Sequence, residues 1–355
     1  MDDAQLAAVL KDLLNEPGLS ANEGPIRERL RQVWRPLLDE ITVSRLGSLH
    51  GRKRGQGREP RPSILIAAHM DSVGLMVEQV VSGFLRVRPI GWLDPRILPG
   101  QPVTVHGRRE VPGLLVPAPA ALLDPQQGAE QAIRFEDLWV DLGLSASEAA
   151  RLVRPGDLIA FAQLPFEMGD GLLAGKALDD RAGLAALTLC LMELRLRAHS
   201  WDVMVAATSG EEENLAGART SSFEIHPDLA VAVDATLAAG PPGQPEHKVF
   251  PLGAGITLGW GPIIHPGLFR QFEQAARRAE VPFFTEVMPG RTQTDADALQ
   301  VAVEGIPTML VSIPLRYMHT PLEVVALRDI RRAGRLLAEF CASLDEGFLQ
   351  RLTLE

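Results

Sequence analysis

Five short segments hold the side chains of this 355-residue chain that could do chemistry together. In His69-Met70-Asp71 an imidazole and a carboxylate stand two residues apart. On an extended chain both project to one side, which suits a metal ligand with its orienting group, or simply a polar strand end. Gly175-Lys176-Ala177-Leu178-Asp179-Asp180-Arg181-Ala182-Gly183 carries adjacent carboxylates. They read as site residues or as acids capping a helix start. Ser209-Gly210-Glu211-Glu212-Glu213-Asn214 sets three acids in a row. A cation would relieve their repulsion; a solvated acidic turn is the alternative. Asp234 closes the apolar run Leu229-Ala230-Val231-Ala232-Val233, and His319 stands in Tyr317-Met318-His319-Thr320-Pro321. An acid at the end of such a run is desolvated and needs a partner. Two histidines and several carboxylates, with no thiolate, suit a hydrolytic Zn, Co or Mn site better than a structural zinc. Two divalent ions sharing a carboxylate would activate water near neutral pH.

The elements that must position these groups follow from the hydrophobic pattern. Ser63 to Ala68, Val203 to Ala207, Leu229 to Val233 and Thr308 to Ile313 read as buried strands. Helical faces run along Leu184, Leu187, Leu191 and Leu194, along Phe269, Phe272, Ala276 and Ala279, and along Ile330, Ala333, Leu337 and Leu344. Two further helices are expected at 3–15 and 25–39, the latter with Pro25 in its first turn. Apolar strands alternating with amphipathic helices predict an α/β fold: a mixed, mainly parallel sheet with helices on both faces. Ligands of such sheets gather beyond the carboxyl ends of the strands, where the five segments fall. From 73 to 165 short valine-rich runs alternate with Gly and Pro, which reads as an inserted small β-barrel. Ser145 and Glu148, spaced as a capping box, mark a short helix near 146–153. The expected division is a catalytic α/β domain from 1–72 and 166–355, with 73–165 inserted. The basic, glycine-rich stretch 51–58 reads as a solvated hairpin loop.

Composition narrows the partners. Against 35 basic residues stand 45 acidic ones, for a formal charge of −10, so neither nucleic acid nor an anionic membrane is expected as a partner. No apolar run reaches the length of a membrane span, the start lacks the texture of a secretory signal, and a cytoplasmic protein is expected. Cys190 and Cys341, the only cysteines, read as small core residues.

Taken in order, His-x-Asp, Lys-Ala-Leu-Asp-Asp-Arg-Ala-Gly, Glu-Glu, Val-Asp-Ala-Thr and Arg-Tyr-Met-His-Thr-Pro resemble the tetrahedral (TET) aminopeptidases. This family of dinuclear-metal exopeptidases includes glutamyl and deblocking aminopeptidases, and some of its members have been called endoglucanases. The resemblance runs over nearly the whole chain. It implies that His69 and Asp234 hold one metal, Glu212 and His319 a second, and that Asp179 bridges them. It implies a cis peptide between Asp179 and Asp180, Glu211 as general base, and Asp71 as the carboxylate that orients His69. It also implies hydrolysis of short peptides from their N-terminus by a hydroxide shared between two divalent ions, zinc or cobalt, with manganese as an option. The inserted domain resembles a PDZ-like unit that builds dimers and then a hollow dodecamer. The long gap between Asp71 and Asp179 favours this group over the related carboxypeptidases, whose insertion falls later.

Two departures stand out. The family's Gly-Gly-Thr-Asp-Ala loop is replaced by Arg291-Thr292-Gln293-Thr294-Asp295-Ala296, and a Pro-Pro-His-Leu-like segment by Pro117-Ala118-Pro119-Ala120-Ala121-Leu122. Arg291 could pair with an acidic substrate side chain or simply face solvent. Two other functions use the same residues: a metal-independent glycoside hydrolase working with two carboxylates, and a silent peptide-binding homologue. Aromatics make up only 5% of the chain, little for a sugar-stacking site.

Overall fold

The apolar runs become the inner strands of an eleven-stranded sheet. In this computed structural model residues 1–117, 133–169, 171–243, 245 and 249–354 are described. Along its main path the sheet runs Glu40–Val43, Leu49–Lys53, Asp202–Thr208, Ser63–His69, Leu229–Leu237, Thr308–Arg316, Glu323–Ala326, Leu172–Gly175, Phe166–Met168. Its centre is parallel: Asp202–Thr208 and Leu229–Leu237 flank Ser63–His69, and Thr308–Arg316 follows. The outer pairs are antiparallel. Ile256–Trp260 and Phe283–Val287 extend the sheet from Thr308–Arg316 as a branch.

Helices Asp3–Asn15, Leu178–Leu194, Pro266–Arg278 and Leu327–Ser343 pack their apolar faces into one continuous core with the strands. Leu10, Leu13, Ile64, Leu187, Leu191, Leu310 and Leu337 are all buried there. Each such side chain contributes roughly 1.5–3 kcal/mol relative to exposure. Cys190 and Cys341 are buried as free thiols.

A second apolar core fills a closed barrel of Gly74–Val81, Phe84–Ile90, Leu138–Asp141, Glu110–Pro117, Pro102–His106 and Leu158–Phe161, every neighbouring pair antiparallel. Strand alternation turns Leu75, Val77, Leu85, Val87, Val103 and Val105 inward. The helix Ala146–Leu152 begins with the Ser145/Glu148 capping box. The Pro-Ala segment noted in the sequence lies, from Ala118 onward, outside the described residues.

Two expectations need correction. The second helix is Gly24–Trp34 and stops before 39: Arg35 still donates its N–H to the Arg31 carbonyl, but Pro36 has no N–H with which to continue the ladder. The stretch 51–58 is not wholly a loop, since Gly51-Arg52-Lys53 pairs with Asp202–Thr208 as a strand. Gly51 makes that possible: a Cβ there would run into the Leu38 side chain and lie 2.9 Å from Cγ2 of Val205. Arg52 is fixed by Asp202 at 2.6 Å.

Candidate metal centre

The parallel strands deliver the singled-out residues to one rim. His69 ends its strand and pairs in register with Thr208, which ends the neighbouring one. Gly210 turns the chain with φ +66, and Glu211–Asn214 follows as a single helical turn. Asp234 lies on Leu229–Leu237, opposite Ser312. His319 follows Thr308–Arg316. Asp179 and Asp180 have non-helical backbone at the kinked start of Leu178–Leu194, and the peptide between them is cis. The glycine of that motif is explained by space: a Cβ on Gly183 would collide with the Asp180 carboxylate, which instead accepts the Gly183 N–H at 3.0 Å.

Asp179 stands at the centre. One of its oxygens lies 3.1 Å from Nε2 of His69, the other 3.3 Å from Nε2 of His319. Glu212 reaches the same His319 nitrogen at 3.3 Å. Two sets of ligand atoms lie within 4.8 Å of one another: His69, Asp179 and Asp234, and Asp179, Glu212 and His319. An oxygen of Glu211 approaches Nε2 of His69 at 3.9 Å. All seven residues expected at the site therefore converge, although Asp71 does so differently. Nδ1 of His69 is 3.1 Å from the backbone carbonyl of Asp71, while its carboxylate lies 3.6 Å away. That carboxylate accepts the N–H groups of Glu211 and Glu212 at 3.0 and 3.3 Å and the Ser20 hydroxyl at 2.6 Å.

Charge at the rim is out of balance. Burial, reinforced by neighbouring acids, pushes Glu211 up to about 11 and Glu212 up to about 7. It raises Asp234 and Asp180 well above the carboxylate range. Asp179 and the histidines go the other way. Burial opposes their charged forms, but mutual contact outweighs it, so Asp179 is held low, His69 is raised well above its ordinary value and His319 is raised to about 9.

These features fit divalent cations. A proton on Nδ1 of His69, shared with the Asp71 carbonyl, leaves the Nε2 lone pair aimed at Asp179, an arrangement that requires a proton or a metal between them. Oε1 of Glu212 and Oδ2 of Asp180 are buried without a hydrogen-bond partner. Among the described residues the only buried arginine, Arg181, spends one guanidinium nitrogen on the Leu13 and Glu16 carbonyls, and burial lowers it to about 10.

Several supports escaped the sequence reading. Glu323, 2% exposed, accepts the backbone N–H of Asp179 at 3.1 Å and of His319 at 2.8 Å, tying two ligand segments together. Asp295 accepts the Thr208 hydroxyl at 2.5 Å, and burial pushes its carboxyl up to about 6. A cavity of about 700 Å³ opens over the site, lined also by Trp92, Arg219, Glu286 and Arg291. In its wall Glu286 accepts the hydroxyls of Thr236 and Thr257, each at 2.6 Å. Arg291 is exposed at its edge.

A mainly parallel α/β sheet with imidazoles and carboxylates at its carboxyl rim has the build of a metallopeptidase. The family model of the M42 glutamyl aminopeptidases matches residues 47–336, and the chain belongs to that family. It is a hydrolase of the aminopeptidase kind. The lysyl aminopeptidase of Pyrococcus furiosus is 34% identical over 337 residues, 92% of this chain and 94% of that protein. The crystal structure of a TET aminopeptidase from a marine-sediment Thaumarchaeota archaeon matches with a TM-score of 0.93 at 28% identity, covering 99% of both chains. The TET1 peptidase of Pyrococcus horikoshii, which can assemble into a tetrahedron or a large octahedral shell, matches with a TM-score of 0.81 at 27% identity, covering 96% of this chain and 100% of that one. Among the described residues no helix is long and apolar enough to cross a membrane.

Proposed function

We propose that the chain is a dinuclear-metal aminopeptidase that removes N-terminal residues from short peptides. The observation that carries this is Asp179, whose two oxygens face one imidazole each at 3.1 and 3.3 Å. His69 and Asp234 would hold one divalent ion, Glu212 and His319 the second, with Asp179 shared between them. When bound, such ions (zinc or cobalt, with manganese also compatible) supply Lewis acidity to the scissile carbonyl and lower the pKa of water.

The chain's own groups supply the rest. The Glu211 carboxylate takes a proton from the attacking water and passes it to the leaving amine nitrogen. Its position supports this role, since an oxygen of Glu211 lies 3.9 Å from Nε2 of His69, beside the ligands that would hold the ions. Asp71 acts as a positioning residue: its carbonyl fixes the His69 ring, and its carboxylate holds the turn that presents Glu211 and Glu212. We assign catalysis to 1–72 with 166–355, and assembly to the insertion 73–165 as a PDZ-like unit. A homo-oligomer of dimers, closing to a dodecamer, is supported by the assembly of the related TET1 peptidase.

The test is metal analysis joined to turnover. Chelator-stripped protein reloaded with zinc or cobalt should hold two ions per chain and cleave unblocked amino-acyl p-nitroanilides. Fewer than one tightly bound ion, or no cleavage across a broad panel, would contradict the proposal.

A further inference from the structure

Among the described aromatic residues Trp92 is the most exposed, at 70%. An indole in water forgoes a large favourable burial, so its position is informative. It lines the cavity over the rim, its ring centroid 6.0 Å from that of His319 with the planes tilted by 49°. The segment is anchored on both sides. The N–H of Gly91 donates to Oε1 of Glu213 at 2.7 Å. Gly91 has φ +70, and a Cβ there would lie 2.8 Å from Cγ1 of Val73 and 3.5 Å from Oε2 of Glu212. On the other side Asp94 caps the turn Pro95–Ile97, accepting the Arg96 N–H at 3.0 Å. The chain leaving the barrel strand Phe84–Ile90 is thus held against the turn that bears Glu211 and Glu212.

The topology of an exopeptidase substrate decides which part Trp92 meets. Only one residue precedes the cleaved bond, and it needs the closed end of the cavity; everything after the bond must leave toward solvent. Depth follows exposure: Thr236 and Thr292 in the wall are 6% and 8% exposed, against 70% for Trp92. We infer that Trp92 is the platform for the side chain of the second substrate residue, the one following the cleaved bond, and that it favours bulky apolar or aromatic side chains there. A flat indole face gains from stacking and contact area with such groups and little from alanine. This rests on the aminopeptidase reading, and it makes a segment from the barrel side a determinant of specificity.

The experiment compares dipeptides sharing one accepted N-terminal residue and carrying phenylalanine or alanine second, together with the corresponding amino-acid amide. Metal-loaded wild type, Trp92→Ala and Trp92→Phe are assayed, with solution mass checked by sedimentation. Wild type should prefer the phenylalanine dipeptide. Trp92→Ala should cut the Phe/Ala ratio of kcat/KM by about five- to tenfold, mostly through KM, and Trp92→Phe should restore most of it. In a Glu211→Gln background, calorimetry should show the phenylalanine dipeptide binding more weakly by a similar factor once Trp92 is removed. An unchanged ratio, or an equal fall for dipeptides and amide, overturns the inference alone. So does a changed solution mass in Trp92→Ala, which would place the indole between copies of the chain. A wild type that cleaves none of the three substrates would sink the aminopeptidase reading, and this inference with it.

Discussion

The barrel and the rim of the large sheet treat charge in opposite ways. Among the described residues from Val73 to Leu178 no polar or charged side chain is buried. The barrel's ion pairs, such as Arg88 with Glu78 and Glu136, are exposed or half-buried. The rim buries His69, Asp71, Asp179, Asp180, Asp234, Asp295 and Glu323 within one neighbourhood. Burying a carboxylate without a counter-charge is costly. A chain that fills one core with valine and leucine has the means to avoid that cost and accepts it only at the rim. Charge kept in a low-dielectric place marks a site, whereas apolar regularity marks a scaffold.

The contrast can be broken by substitution. Glu211→Gln should have the largest effect, lowering kcat by about 10²–10⁴-fold while the bound metal stays near the wild-type amount. Turnover kept within a few-fold of wild type would remove Glu211 from the proton-transfer role. In the barrel, Leu115→Ala should cost roughly 2–5 kcal/mol of stability, read by denaturant unfolding, with the metal content of the folded protein unaltered. A loss of metal there would mean that barrel and rim are not independent. Glu323→Gln sharpens the rim side of the comparison. A single amide oxygen cannot accept both the Asp179 and the His319 N–H in the present geometry, so metal affinity should fall about 10–100-fold in a competition titration. Unchanged affinity would reduce Glu323 to a packing residue.

Acidity gives the smallest effect. Glu212, raised to about 7, and His319, raised to about 9, both have folded-state pKa values above their unfolded ones. Each therefore adds stability at low pH that is lost as pH rises, between the ordinary glutamate value and about 7 for the first and between the ordinary histidine value and about 9 for the second. Asp179, held low, loses its contribution only in acid, below the carboxylate range, and does not oppose this trend. The Tm of chelator-stripped protein should accordingly fall from pH 5 to pH 9, and saturating zinc should flatten the slope. A Tm that rises over that window would contradict the sign.

How far the sequence could be read depended on where each residue's signal lies. His69, Asp234 and the Glu211–Glu213 run were legible because long apolar strands end in polar residues, and the carboxyl ends of parallel strands share one rim. The barrel was legible from its alternation, and the helix Ala146–Leu152 from its cap. Glu323 was not, because it opens the four-residue strand Glu323–Ala326 and works through backbone N–H groups that no spacing rule exposes. Trp92 was hidden in a turn without periodicity. Ile256–Trp260 and Phe283–Val287 were missed as well: the second alternates only weakly, since as a terminal strand it buries no residue fully on either face. The extent of the second helix failed because its apolar pattern runs past Pro36, where backbone chemistry decides. Asp71 was legible as a neighbour of His69, but not that its carbonyl would face the ring while its carboxylate accepted the Glu211 and Glu212 N–H groups.

Anomalous diffraction from crystals grown with zinc tests the central claim most directly. Two peaks should appear, one between His69 and Asp234 and one between Glu212 and His319, each about 2.0–2.2 Å from a separate oxygen of Asp179. A single peak away from Asp179, or no peak in crystals held in saturating zinc, would contradict the dinuclear site.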